Sequence, residues 1–190
     1  MQKPYIISRE TANANPDNVA ACHQLEGSND CVKEVLTWFE LVKGGSLTDE
    51  EIQACIEYFT IEDYKKGKCV IEGIGSAKDL ISLYNYGSKK NMTLGFLDKE
   101  KMDYYGLCQQ LFDVIDNGGF VMVNCESAIG HAVGVERITH TVRSNMWGNI
   151  ISEYSFRVMN PAPVHYGGGY RPLSGYDIWS ARNVGWLNIR

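Results

Sequence analysis

Two stretches in the second half of the chain alternate apolar and polar residues with a period of two. HAVGVERITHTV runs from His131 to Val142 and NIISEYSFRVMN from Asn149 to Asn160, and such alternation predicts two strands, each with one face turned to a core. The intervening SNMWG supplies turn residues, so a simple antiparallel hairpin pivots about Asn145 and Met146. That register sets His131 opposite Asn160, Val133 opposite Val158 and Val135 opposite Phe156. Alternate side chains of a strand point the same way, so all three pairs share one sheet face.

Upstream, the apolar positions recur at helical spacing. Val32, Val35, Leu36, Phe39 and Val42 follow Cys31, and Gly44 with Gly45 stops the pattern. Ser28, Asn29 and Asp30 offer the N-cap, which puts Cys31 in the first turn. LTDEEIQACIEYF predicts a second helix, with Thr48 as N-cap and Glu51 completing a capping box. SAKDLISLYNYG predicts a third, and KMDYYGLCQQLFDVIDNGG a fourth that ends at Gly118 and Gly119. CVIEGIG suits a short strand or an extended crossing, and KKNMTLGFLDKEK a solvated polar connector.

Beyond Asn160, the glycines Gly167 to Gly169 predict a flexible loop bordering a cleft. Ser174 then caps a short helix through Trp179, and GWLNIR is a final strand. Trp147, Trp179 and Trp186 are expected as core anchors. Residues 1–18 suit an arm with an edge strand at PYIIS. Helices first and a sheet after is an α+β plan, with one domain over residues 1–190.

Composition narrows the function. A net charge of -5 gives no basic field to hold phosphate backbones, which argues against nucleic acid as the main partner. No apolar run approaches the length of a membrane span, and MQKPYIISRE lacks the hydrophobic region of a secretory signal. The expected location is the cytoplasm, with export by a signal-independent route as an option. Six cysteines, Cys22, Cys31, Cys55, Cys69, Cys108 and Cys125, are too scattered for a zinc ribbon or a dense disulfide scaffold, so reduced thiols are expected.

Against that background Cys31 stands out. At a helix start, unpaired backbone N–H groups and the positive end of the helix dipole stabilise a thiolate, and a nearby imidazolium stabilises it further. His131 supplies an imidazole at the open end of the hairpin, and the side-chain oxygen of Asn160 can fix its tautomer and orientation. Taken singly, each residue has a plainer use, as a small apolar residue, a strand-end histidine or a turn residue before Pro161. Cys22 and His23 are sequence neighbours whose side chains diverge in extended chain. Cys125 is a second thiol near His131 but has no helix start to activate it. A zinc site from Cys22, His23, Cys125 and His131 fits no compact ligand spacing, so neither metal nor cofactor is expected.

Three blocks, QLEGSNDC, GGFVMVNCESAIGHAVGVERI and FRVMNPA, together resemble the papain superfamily of cysteine peptidases, and within it the C39-like branch. The resemblance implies a papain-like fold, with the nucleophile helix of an N-terminal helical part packed on a C-terminal antiparallel sheet. It implies Gln24 for the oxyanion, Cys31 as nucleophile, His131 as acid and base, and Asn160 as the orienting residue. The chain departs from the pattern at Val32, where Gly or Trp is usual, and at Gln24, which stands one residue further from the cysteine. The implied activity is hydrolysis of a peptide or isopeptide bond in a peptide or protein substrate. A glutamine deamidase or transglutaminase-type effector on the same fold, and a non-catalytic binding module, stay open beside it.

Overall fold

A computed structural model describes residues 5–13, 19–28, 30–43, 92–125, 131–181 and 183–189. The helices expected over 47–59 and 76–87, the extended run 69–75, Cys55, Cys69 and the candidate cap Asn29 lie outside the described residues.

Among the described residues seven strands form one antiparallel sheet. In chain order they are β1 (Ile6–Ala12), β2 (Met92–Phe96), β3 (Phe120–Cys125), β4 (His131–Ser144), β5 (Ile150–Asn160), β6 (Gly169–Ser174) and β7 (Asn183–Ile189). Their order across the sheet is β2-β7-β3-β4-β5-β6, and β1 lies alongside β4 beyond the end of β3. Three helices accompany them: α1 (Cys31–Val42), α2 (Tyr104–Asp116) and the short α3 (Gly175–Ser180).

The helices cover opposite faces of the sheet. Alternate residues of β3 show this directly, because Val121 and Val123 join the α2 core while Phe120 and Met122 join the α1 core. The first core gathers Leu107, Leu111 and Phe112 of α2 with Val133, Val135, Phe156 and Val158. The second gathers Val35, Leu36, Trp38 and Phe39 of α1 with Ala132 and Met159. Residues 33–40 of α1 are buried without a break, so this helix is enclosed and does not lie on the surface. Trp38 anchors it. Its ring is fully buried, its Nε1 donates to the Tyr170 hydroxyl at 2.8 Å, and the adjacent Phe39 ring lies 4.0 Å from that of Phe120.

The approach of α1 to the sheet depends on Gly134. A Cβ built there would lie 2.9 Å from Cζ3 of Trp38 and 3.3 Å from Cγ1 of Val35. The missing side chain lets helix and strand meet, and that meeting sets where the first residue of α1 falls relative to the start of β4.

Several expectations are corrected. The hairpin pivots on Trp147, because the Asn145 side chain accepts from the Trp147 and Asn149 backbone N–H groups and Gly148 takes the left-handed conformation at φ 80°. The register therefore pairs Val135 with Val158 and Gly134 with Met159, so none of the expected pairs, His131 with Asn160, Val133 with Val158 or Val135 with Phe156, forms. The β4–β5 register shifts between Val135 and Arg137, a bulge at Glu136. Trp147 is 78% exposed at the hairpin tip and anchors no core. The polar connector contains β2, and the loop after Asn160 becomes β6 from Gly169 onward. The strand expected at PYIIS is present as β1 and runs on to Ala12, paired with β4 along its whole length. The final strand expected at GWLNIR is present as β7, between β2 and β3.

Candidate active site

Cys31 opens α1 after Asp30, whose side chain makes no capping hydrogen bond. The helical bond from the Glu34 N–H to the Asp30 carbonyl spans 2.9 Å, so Cys31 stands in the first turn, where backbone N–H groups point out of the helix end. His131 opens β4 and Asn160 closes β5, at the same end of the sheet. Cys31 and His131 are both half-buried, and Asn160 is buried.

The three side chains form a chain of contacts. Cys31 lies near enough to His131 for each to shift the other's pKa. The Nε2 of His131 lies 2.6 Å from Oδ1 of Asn160, so the proton of the neutral ring sits on Nε2 and Nδ1 is left for the sulfur. Asn160 is itself fixed from two sides. Its Oδ1 also accepts from the Ala162 N–H at 3.1 Å, and its Nδ2 donates to the Gly167 carbonyl at 3.2 Å.

Electrostatics follow from these contacts. Burial alone raises the Cys31 pKa, but hydrogen bonds from His131 and from the Ala132 and Val32 backbone N–H groups, with the attraction of the imidazolium, bring it below that of an ordinary thiol. The His131 pKa is raised, chiefly by its hydrogen bond to Cys31, with burial opposing and the Asn160 contact adding to the rise. The charge of Arg171 works against it. Each partner therefore favours the charged form of the other.

Gln24 stands apart from that chain. Its Nε2 donates to the Ser28 carbonyl at 3.0 Å and its backbone N–H to the Pro161 carbonyl at 2.8 Å. Among the described residues no hydrogen bond joins it to Cys31 or His131. It thus links the loop leading into α1 to the residue after Asn160. The same two segments are tied again where Nδ1 of His23 meets the Ala162 carbonyl at 2.8 Å and the Tyr166 hydroxyl donates to Glu26 at 3.0 Å. Gly168 lies inside this junction, and a Cβ there would fall 1.7 Å from the Ala162 oxygen.

The remaining thiols differ. Cys108 is buried in the α2 core and its pKa is pushed up to about 12 by burial, so it is a poor nucleophile. Cys125 pairs across the sheet with His131 through the backbone. Among the described residues no group of three or more His, Cys, Asp and Glu is arranged to hold a metal ion. Sequence reasoning passed over the Ala132 N–H, which carries no side-chain signal, and Arg171, whose guanidinium donates to the Gly167 carbonyl at 2.9 Å.

No protein-family model matches the sequence, and no curated protein matches it. Solved structures do match, among them the crystal structure of UfSP from C. elegans, with a TM-score of 0.50 and 14% identity. That match covers 95% of this chain and 34% of the UfSP chain, so the chain spans about a third of the length of its neighbour. At this identity the likeness is one of fold. The architecture is α+β and papain-like. Among the described residues no helix is long and apolar enough to cross a membrane.

Proposed function

We propose that this chain is a thiol-dependent hydrolase that cleaves a peptide or isopeptide bond in a protein or peptide substrate, with Cys31, His131 and Asn160 as its catalytic residues and Gln24 beside them. The observation that carries the reading is the 2.6 Å contact of His131 Nε2 with Asn160 Oδ1, beside a Cys31 whose pKa His131 lowers. The papain-like fold supports it at the level of architecture. We also propose that residues 1–190 act as one domain, and the three sequence blocks favour the C39-like branch.

The chemistry follows from the residue types. The Cys31 thiolate attacks the acyl carbon and a C–S bond forms. His131, as imidazolium, gives its proton to the leaving amine as the C–N bond breaks. Water then attacks the thioester with His131 as base, and the thiolate returns. Asn160 accepts from the ring throughout, which keeps the tautomer and plane of His131 constant. The Cys31 N–H is one donor for the oxyanion, and the second N–H of the Gln24 amide is the other, each worth about 3 kcal/mol in the transition state.

The test is turnover on a panel of peptidyl and isopeptide-linked amides, with Cys31→Ala as control. Release of a new amine by the wild type alone supports hydrolysis. Ammonia released without chain cleavage would assign a deamidase, and binding with no Cys31-dependent product would leave a binding module.

A further inference from the structure

We propose that Asn13, at the end of β1, is a positioning residue for the Cys31–His131–Asn160 site, holding the bulge in β4 that keeps His131 and Asn160 on one face of the sheet. The inference rests on reading that site as catalytic.

The argument begins with register. From Ser144 opposite Ile150 to Arg137 opposite Arg157, β4 and β5 pair without interruption. Carried on unchanged, that pairing would set Asn160 opposite Gly134, on the face that meets Trp38. His131 shares its face with Val133 and Val135, which belong to the other core. A slip of one residue moves every side chain of a strand to the opposite face. The bulge at Glu136 supplies that slip. Beyond it Val135 faces Val158 and Gly134 faces Met159, and the next step sets Asn160 beside Val133, on the His131 face. Ile138 on the far side of the bulge packs in the same core as Val135, as the slip requires.

A bulge needs something to take the backbone groups the ladder leaves over. Here the Asn13 side chain takes one of them, and its backbone extends the β1–β4 ladder beside it. The Asn13 backbone N–H donates to the Glu136 carbonyl at 2.9 Å, and its Nδ2 donates to the Val135 carbonyl at 2.7 Å. Two successive carbonyls of β4 are thus received by a single buried asparagine. The bulged side chain is held as well. The carboxylate of Glu136 is fully buried and meets Arg137 at 3.3 Å and Arg157 at 3.1 Å, while Arg137 also reaches Glu10 of β1 at 3.1 Å. So β1, which contributes little to either core, grips the catalytic strand at the point where its register changes.

The test compares the full chain with Asn13→Ala and Asn13→Asp, each checked for folding by circular dichroism and thermal unfolding. Two readouts follow: the pH profile of Cys31 alkylation and the nitrogen-15 NMR titration of the His131 ring. The expected result is a folded Asn13→Ala protein whose Cys31 labelling at pH 6 falls about tenfold and whose His131 Nε2 proton loses its hydrogen-bonded signal. A folded variant in which both readouts match wild type would overturn the proposal. Should neither variant fold, hydrogen exchange in the wild type decides. Common opening of the Asn13 and Ala132 amides supports the proposal, and independent opening refutes it. If wild-type Cys31 labels as an ordinary thiol, the catalytic reading has failed, while the His131 signal still reports separately on Asn13.

Discussion

Replacing Gly134 by alanine should weaken the protein and dull its thiol in one step. The added Cβ meets Trp38 at 2.9 and 3.0 Å and Val35 at 3.3 Å, whereas carbon atoms pack comfortably at about 3.5–4.0 Å. A gap of roughly half an ångström or more must open. Trp38 has little freedom to turn, because it is fully buried, bonded to Tyr170 and packed on Phe39. The helix must therefore lift from the strand, at a cost of about 1–3 kcal/mol, as for an overpacked core. Val35 is one helical turn from Cys31, so the lift reaches the sulfur and lengthens its contact with His131. A weaker contact with His131 lets the Cys31 pKa rise toward that of an ordinary thiol, so its labelling at pH 6 slows. Urea unfolding reads the first effect and iodoacetamide labelling at pH 6 the second. Adding Trp38→Phe should return part of the lost stability, with a coupling energy of at least about 0.5 kcal/mol. Unchanged stability together with unchanged labelling in Gly134→Ala would refute the packing argument.

Other perturbations have directions that follow from the same contacts. Asn160→Ala removes the acceptor that fixes the His131 ring and should lower Cys31 labelling at pH 6 by roughly tenfold or more. The bonds it loses to Ala162 and Gly167 should cost about 1–3 kcal/mol in urea unfolding. Gly168→Ala forces the Ala162 carbonyl away and should lower the melting temperature, with a cost of about 1–3 kcal/mol; a neutral effect would mean that the junction is not tightly packed. Cys108, with its pKa near 12, should stay unlabelled at pH 8 in the native protein and react only on unfolding, as peptide mapping would read. For pH dependence, the lowered Cys31 pKa gives a stabilising contribution present above the unfolded thiol value of about 8.5 and lost as pH falls through the folded value. The raised His131 pKa gives one that is full below about 6.5 and lost as pH rises through its folded value. A Cys31→Ala, His131→Ala double variant should lose both dependences in thermal scans across that range.

How far the sequence discloses these features depends on whether the signal is local. The α1 pattern is legible because Val35, Leu36, Phe39 and Val42 mark a core face, although burial extends to Lys33, Glu34 and Glu40 through contacts no pattern shows. The alternation in β4 and β5 is legible because each strand has one face in the α2 core. Their register is not, because it depends on an asparagine-built turn centred on Trp147 and on a bulge whose residue, Glu136, looks like an ordinary outward-facing position. The simple hairpin still brings His131 and Asn160 to one face, since the longer turn and the bulge together displace the pairing by a whole pleat repeat at the site. Two strands escape notice for opposite reasons. β2 is a short run beside lysines, and β6 contains Gly169 and Pro172, which signal loops; Pro172 is tolerated because β6 is an edge strand. The link from Gln24 to Ser28 and Pro161 was invisible as well, being a matter of loop conformation.

The central claim is that folding joins Cys31 and His131 into an ion pair, and alkylation across pH 5 to 8 with peptide mapping tests it most directly. In the wild type, Cys31 should be labelled well below the ordinary thiol range, faster than Cys108, and His131→Ala should abolish that low-pH reactivity. Labelling of Cys31 that rises only near pH 8.5, as for an unperturbed thiol, and that is indifferent to His131→Ala, would contradict the account.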